Sequence, residues 1–248
     1  MRIFLIIPIL FIFLASCSNS NDFDIPQISK LEKLEEHSNQ FIKGIYSYDN
    51  GIHVAIGFGI ANSIMVEGDG GNIIIDTTDD VSQAKEVLSE FQKINQNPIK
   101  AIIYTHNHGD HVFGASEFYN SQEEKPLVIA HSTTAEKVEK ILGIINPIIT
   151  LRSGKMFGTN LDDDELINVG LGPYLSAGRT SPGYIAPTMT FEKELKLELA
   201  GHKVELYHAP GETDDQLFVW FPELSALMPG DNFYTTFPNL YTIRGTSH

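Results

Sequence analysis

The chain has 248 residues, of which 42% are hydrophobic and 20% are charged, a composition ordinary for one globular domain with a sizeable core. Its formal net charge of −15 and the lack of any basic stripe exclude nucleic acid as a partner, because nothing would neutralise the phosphates. An acidic surface also steers anions away, so any anion site must be built locally by a metal or an arginine.

The first 17 residues have the pattern of a bacterial lipoprotein signal. Arg2 precedes a nearly unbroken apolar run over residues 3–15, which is too short to span a bilayer as a helix of the mature protein. The run is followed by a Leu-Ala-Ser-Cys sequence that resembles the lipobox, so Cys17 is predicted to be diacylated and to become the first mature residue. A plain signal peptide followed by an accidental cysteine is the alternative.

This N-terminus predicts a signal peptide over residues 1–16 and a polar tether over residues 17–37. The lipid on Cys17 would attach the chain to a membrane of the bacterial cell envelope, and Ser18 after it fits sorting to the periplasmic face of the outer membrane. Because Cys17 is the only cysteine, the mature chain can form no intrachain disulfide.

Short strands and helices are predicted from about Phe41 onward, from alternating or continuous apolar runs and from 3.6-residue spacing. Strands are expected at 53–58, 63–66, 72–77, 99–104, 127–130, 195–199, 203–207 and 217–221, and helices at 81–94 and 133–145. Residues 146–187, rich in glycine and proline, are expected to form a long connection that acts as a lid or faces the substrate. This mixture of strands and helices predicts a layered fold of the α/β class, with strands and helices in α+β layers. No single feature of the pattern identifies the particular fold.

The strongest chemical signal is the segment Thr105–His111, directly after a predicted buried strand. His106 and His108 are two residues apart, so in an extended segment both side chains point the same way and can bind one metal ion. Gly109 lets the chain turn, which would aim Asp110 and His111 at a second site beside the first. Nitrogen and oxygen ligands suit Zn²⁺, with iron or manganese as alternatives. A histidine-rich surface loop would give the same composition without a function.

This segment resembles the H-x-H-x-D-H signature of the metallo-β-lactamase superfamily. The resemblance implies an αβ/βα sandwich with the metals at one edge of the paired sheets. It also implies that Asp76, at the end of its predicted strand, orients the ligand loop. A helix N-cap or turn role for Asp76 is the alternative reading.

Two downstream segments resemble the alkylsulfatase branch of this superfamily: residues 181–188 and residues 210–245. Glu212 stands where most members of the superfamily carry a histidine, and the alkylsulfatase branch carries a carboxylate at this position. Asp231 matches the acidic residue that bridges both metals in the family. The resemblance runs from about Phe41 to the end of the chain, within a catalytic domain expected over residues 38–248.

The resemblance implies a role for each matching residue. His106, His108 and Glu212 would hold one zinc ion. Asp110 and His111 would hold a second, with Asp231 bridging the two. In the family, a further histidine beyond the segment that corresponds to residues 210–245 completes the second zinc site, and a later region forms the dimer. Neither is present in this sequence. We therefore expect a C-terminally truncated domain whose second zinc site is incomplete.

Three residues are predicted to contact a small sulfate ester. Arg244 would be the sulfate clamp, because a planar guanidinium can bind two sulfate oxygens at once, and it is assigned together with Asp110 to the catalytic set. Tyr184 and Asn239 are further substrate contacts. The alternatives are a surface arginine paired with an acid, a packed aromatic side chain and a turn residue, respectively.

The sequence therefore predicts a dinuclear zinc hydrolase of alkyl sulfate esters in which metal-activated water is the nucleophile. One alternative is a non-catalytic remnant that binds zinc only partially. Another keeps the enzyme class and changes the substrate to a lactone, a thioester or a β-lactam.

Overall fold

The computed structural model describes residues 28–158, 161–162, 165, 167–170, 172 and 182–234. Helices α1–α6 span Ile28–Ser38, Val81–Ile94, Gly109–Val112, Ala115–Asn120, Thr134–Leu142 and Asn146–Met156. Strands β1–β11 span Gly44–Tyr48, Ile52–Ile56, Ser63–Gly68, Gly71–Ile75, Ile99–Ile103, Leu127–His131, Met189–Phe191, Glu194–Leu199, His202–His208, Leu217–Phe221 and Ala226–Met228. None of the helices in this part of the chain has the length and apolarity needed to cross a membrane.

The strands form two sheets. Seven strands lie in the order β1-β2-β3-β4-β5-β6-β7, and four lie in the order β11-β10-β9-β8. In the larger sheet the pairs from β1 to β4 are antiparallel, whereas β4 to β7 run parallel. The smaller sheet is antiparallel throughout.

The continuous aliphatic run of β4 is explained by burial on both faces of the larger sheet. Ile74 packs with the helices, in a cluster that also contains Phe91 of α2 and Phe118 of α4. Ile73 and Ile75 point the opposite way, toward the smaller sheet. Helices, large sheet and small sheet are thus stacked in layers, which are three of the four layers of an αβ/βα sandwich.

Helix α2 shows how local sequence sets one element of the outer layer. The side chain of Asp80 accepts hydrogen bonds from the backbone N–H groups of Ser82 and Gln83, which caps the start of the helix. Ala84, Val87, Leu88 and Phe91 form its buried stripe at helical spacing. The helix begins and ends at residues 81 and 94, as the sequence predicts.

The predicted mixed α/β layered fold is confirmed, and each predicted strand overlaps an observed one. The hairpin of β8 and β9 turns at Ala200 and Gly201, both with positive φ, as a two-residue hairpin turn requires. The prediction was wrong for part of residues 146–187, because Asn146–Met156 is helical. That helix carries exposed Ile148 and Leu151 and has no amphipathic stripe to reveal it.

The predicted polar tether ends in a helix. This helix, α1, occupies Ile28–Ser38. Residues 1–27, with the predicted signal peptide and Cys17, lie outside the described residues. The domain boundaries therefore stay predictions.

We predict that Leu88→Ala lowers the free energy of unfolding by about 2–5 kcal/mol, because the lost side chain leaves a cavity between α2 and the sheet. Leu88 is 7% exposed, whereas Ile94 on the same helix is 42% exposed. Ile94→Ala is the matched control and should cost about 0.5 kcal/mol or less. Urea unfolding of both variants measures the difference, and equal losses would contradict this account of the core.

Candidate metal centre

The segment Thr105–His111 lies where the parallel strand β5 ends, at the edge shared by the two sheets. The backbone N–H of Leu217, the first residue of β10, donates to the carbonyl oxygen of Thr105 at 2.9 Å, which joins the two sheets at this point. His106 and His108 precede the short helix α3, and Asp110 and His111 lie within it. All four side chains are buried.

The first group of candidate ligands consists of His106, His108, Glu212 and Asp231. The Oε2 atom of Glu212 lies 3.6 Å from His106 Nε2 and 3.6 Å from His108 Nδ1. The Oδ2 atom of Asp231 lies 3.9 Å from His106 Nε2. Glu212 belongs to the turn between β9 and β10, so two sheets contribute to one group.

The second group consists of Asp110, His111 and Asp231. His111 Nε2 lies 3.6 Å from Asp110 Oδ2 and 3.3 Å from Asp231 Oδ1. Asp231 therefore presents one carboxylate oxygen to each group. The structure thus brings together all six residues that the sequence singles out as ligands, in the two groups expected.

These separations fit shared metal ions. Two ligand atoms about 2.0–2.2 Å from a tetrahedral zinc ion lie about 3.3–3.6 Å from each other. The pairs of ligand atoms here lie 3.3–3.9 Å apart, longer than ordinary hydrogen bonds. Imidazole and carboxylate donors without thiolate are the set that suits a catalytic rather than a structural zinc site. The residues present therefore fit a pair of divalent metal ions.

Asp231 reaches the histidines because the backbone of Gly230, just before it, packs directly against the Thr105 side chain. Gly230 has φ +55, and a Cβ atom there would lie 2.8 Å from the Thr105 side chain. Only glycine accommodates both the backbone conformation and this contact. A side chain at residue 230 would push the short 3-10 helix Gly230–Asn232 away from the histidines.

Asp76, just beyond β4, holds the ligand segment in place. One carboxylate oxygen accepts the Thr105 backbone N–H at 2.8 Å, and the other lies 2.8 Å from Thr105 Oγ1 and 2.7 Å from His111 Nδ1. These are the contacts of an orienting residue, and the N-cap of α2 is Asp80 instead. Asp76 adopts φ +57, a conformation that aspartate tolerates better than most residues.

The carboxylates also decide the protonation of His111. Burial by itself lowers the pKa of this imidazole, but Asp231, Asp76 and Asp110 together outweigh it and raise the pKa well above 6.5. Burial likewise opposes ionisation of Asp231, yet the neighbouring His111 and His106 hold the pKa of that carboxyl well below its usual range. In the metal-free chain these shifts favour an imidazolium at His111 paired with a carboxylate at Asp231.

Tyr234 is a residue of this centre that the sequence did not indicate. Its hydroxyl donates to Asp231 Oδ2 at 2.9 Å, and burial beside Asp231 raises its pKa, so it stays a hydrogen-bond donor. Tyr234 lines a cavity of about 270 Å³ with His111, Asp231, Phe233 and Ile60. A tyrosine three residues after a carboxylate is no motif, so only the folded arrangement identifies it.

Of the predicted substrate contacts, the described residues include Tyr184 alone. Tyr184 packs beside the helical core cluster, with its ring 6.0 Å from that of Tyr104, and it does not line this cavity. Its hydroxyl is buried without a hydrogen-bond partner, and burial raises its pKa to about 12. Asn239 and Arg244 lie outside the described residues. Their roles in substrate binding stay predictions.

Comparison with known families agrees with this geometry. Residues 56–243 match the model of the metallo-beta-lactamase superfamily, which is most of the chain. The chain therefore belongs to the metallo-beta-lactamase superfamily, as its histidine segment predicted.

Within that superfamily the chain is similar to alkylsulfatases. It is 38% identical to a linear primary-alkylsulfatase from Pseudomonas sp. over 188 residues, which are 73% of this chain and 35% of the relative. It is 26% identical to an alkyl/aryl-sulfatase from Saccharomyces cerevisiae, over 82% of this chain and 32% of that protein. The chain thus spans about a third of the length of these curated relatives.

A solved structure shows the same fold. The stereoselective inverting sec-alkylsulfatase from Pseudomonas sp. superposes with a TM-score of 0.68 at 22% identity, covering 78% of this chain and 31% of the other. At this identity the likeness concerns the fold alone.

We predict that Asp76→Asn lowers the pKa of His111 toward 6.5, because one of the three carboxylates that favour the imidazolium is lost. Asparagine also tolerates positive φ, so the backbone is retained. NMR titration of the imidazole signals in the metal-free chain measures the shift. Asp49→Asn, at an exposed turn, is the control, and an unchanged His111 pKa in Asp76→Asn would contradict the contact.

Proposed function

We propose that the chain is a metal-dependent hydrolase that cleaves sulfate esters of alkyl alcohols at two zinc ions. The observation that carries the proposal is the pair of ligand groups that share Asp231. The 38% identity to a linear primary-alkylsulfatase supports the substrate class. Glu212, in a position where most of the superfamily has histidine, supports the same branch.

In the proposed assignment, His106, His108 and Glu212 would hold one zinc ion, and Asp110 and His111 would hold the other. Asp231, which belongs to both groups, would contribute to both sites. Such ions, when bound, lower the pKa of a water molecule toward neutrality and polarise the attacked group. The protein contributes the geometry, since Asp76 fixes the His111 ring and the Tyr234 hydroxyl fixes one oxygen of Asp231.

The cavity beside the second group supports an amphiphilic substrate. Its lining combines the ionisable side chains of His111 and Asp231 with the apolar side chains of Ile60, Ala61 and Phe233. Phe233 is exposed, so its ring is available to an alkyl chain. Arg244 would neutralise the sulfate group, and Tyr184 and Asn239 would add further contacts, in line with the resemblance to alkylsulfatases.

The cellular setting belongs to the same proposal. A lipid on Cys17 would hold the enzyme at the periplasmic face of the outer membrane, where detergent-like esters partition. The net charge of −15 supports a small-molecule substrate and no nucleic-acid partner. Because the acidic surface repels an anionic sulfate ester, the metal ions and Arg244 would have to supply the positive charge that attracts it to the site.

The zinc content of the purified full chain and its release of sulfate from dodecyl sulfate test the proposal together. We expect two zinc ions per chain and turnover. The Glu212→Gln variant should bind one zinc ion fewer. Loss of a residue that only hydrogen-bonds a metal ligand reduces activity by roughly 10–100-fold, so loss of the ligand Glu212 should reduce sulfate release by more than that. Glu67→Gln is the matched control, because Glu67 lies 2.9 Å from His53 outside the centre and should have no effect on either.

The possible results separate the alternatives. Two zinc ions with cleavage of a lactone, thioester or β-lactam, and no sulfate release, would mean that the superfamily is right and the substrate class is wrong. One zinc ion or none, without turnover, would favour a non-catalytic chain.

We also predict that zinc affinity rises with pH through the neutral range. The pKa of His111 is raised above 6.5, which favours a proton on both ring nitrogens of the metal-free chain. The nitrogen that binds zinc must lose its proton first. Above the pKa of His111, protons no longer compete with zinc for its imidazole, and the affinity stops rising. Chelator competition at several pH values measures the effect. In Asp76→Asn the rise should move to lower pH, and the same profile in both proteins would contradict the assignment.

A further inference from the structure

Asp215 is a buried carboxylate that belongs to neither ligand group. It lies two residues before β10 and is 0% exposed. Its Oδ1 accepts hydrogen bonds from Asn107 Nδ2 at 2.5 Å and from Thr213 Oγ1 at 2.7 Å, and its Oδ2 accepts one from Thr134 Oγ1 at 2.7 Å. Three donors converge on one ion in the interior, which is the arrangement that makes burying a carboxylate tolerable.

The three donors come from three separate parts of the fold. Asn107 stands between His106 and His108, at the end of β5. Thr213 directly follows Glu212 in the turn between β9 and β10. Thr134 is the first residue of α5 and is itself fully buried. One carboxylate thus links the segment with two histidine ligands, the turn with the glutamate ligand and a helix of the outer layer.

The centre therefore has two carboxylate anchors. Asp76 contacts His111 of the second group and Thr105, whose hydroxyl also lies 3.0 Å from Nδ1 of His106. Asp215 contacts the neighbours of the three residues that form most of the first group. Since the two histidines and Glu212 come from different sheets, their separation is not set by local backbone geometry. The hydrogen bonds from Asn107 and Thr213 to the same oxygen atom of Asp215 link the two segments directly.

We propose that Asp215 is the positioning residue of the first ligand group: by holding Asn107 and Thr213 on one oxygen, it sets the spacing of His106 and His108 from Glu212 and thereby the affinity of that group for metal. The inference rests on the proposed metal function of these residues. It predicts that loss of Asp215 weakens one metal site and leaves the other, held by Asp76, unchanged.

The test is a Zn²⁺ titration of the full chain in competition with a chromophoric chelator, together with Co²⁺ absorption spectra that report the ligand geometry. Asp215→Ala should weaken binding of one metal equivalent by about 10–100-fold, as loss of an outer hydrogen-bond partner does, with the other equivalent unchanged. Asp215→Asn should restore most of the affinity. Its carbonyl oxygen can accept from Asn107 and Thr213, while its amide donates to the Thr134 hydroxyl, which rotates to accept.

Asp80→Ala is the matched control for instability alone. Asp80 is also buried and also accepts three hydrogen bonds, from Ser82 N, Ser82 Oγ and Gln83 N, but all three donors belong to the first turn of α2. It should lower the melting temperature without changing either metal affinity. If Asp215→Ala does not fold, Asn107→Leu removes the loop's hydrogen bond at similar volume and should weaken the same equivalent.

The outcomes distinguish this proposal from the one on which it rests. Two metal equivalents in the wild type, with both affinities within about twofold in folded Asp215→Ala or Asn107→Leu, would overturn the role of Asp215 and leave the metal function intact. A wild-type chain that binds no metal would instead refute the proposed function. Equal weakening of both equivalents, or failure of Asp215→Asn to restore binding, would show that Asp215 acts on the fold as a whole.

Discussion

Much of this structure depends on the cost of collecting ionisable side chains at the buried edge of two sheets. Asp76, Asp110, His106, His108 and His111 are all buried there, and isolated charges in such a place would be strongly unfavourable. The arrangement is tolerable because each carboxylate meets an imidazole or a backbone donor. The hydrogen bonds of Asp76 to Thr105 and His111 are the clearest case, since they fix a main-chain position and a ring orientation at once.

The sheets make these contacts possible by where their strands end. Strands β4 and β5 run parallel, so Asp76 and Thr105 emerge side by side. Strands β9 and β11 both pair with β10 in antiparallel fashion, so they run in the same direction and deliver Glu212 and Asp231 to one edge. The aliphatic cluster between the sheets, with Ile73 and Leu206 at its centre, holds the two edges together. Packing remote from the centre thus decides the distances within it.

The same electrostatics join stability to function. In the metal-free chain, His111 as an imidazolium neutralises the carboxylates around it, and a divalent ion would take over that charge. For Asp76, Asp110 and Asp231 this imidazolium is the positive partner in the metal-free chain.

The sequence by itself determined the elements whose signal is local. The spacing of Ala84, Val87 and Phe91 with the cap at Asp80 defines α2, and the heptapeptide ending at His111 defines the first ligands. Glu212 and Asp231 could be assigned only through resemblance to a family, because they lie more than 100 residues from His106 and no spacing joins them. Only the tertiary structure decided that Asp76 contacts Thr105 and His111 instead of capping a helix, that Tyr234 touches Asp231, and that Asp215 joins the segments of two candidate ligand sets. Local periodicity reflects contacts within one turn or one pleat, whereas the contacts of Asp76 depend on two strands of one sheet ending side by side and those of Asp215 depend on the stacking of the two sheets.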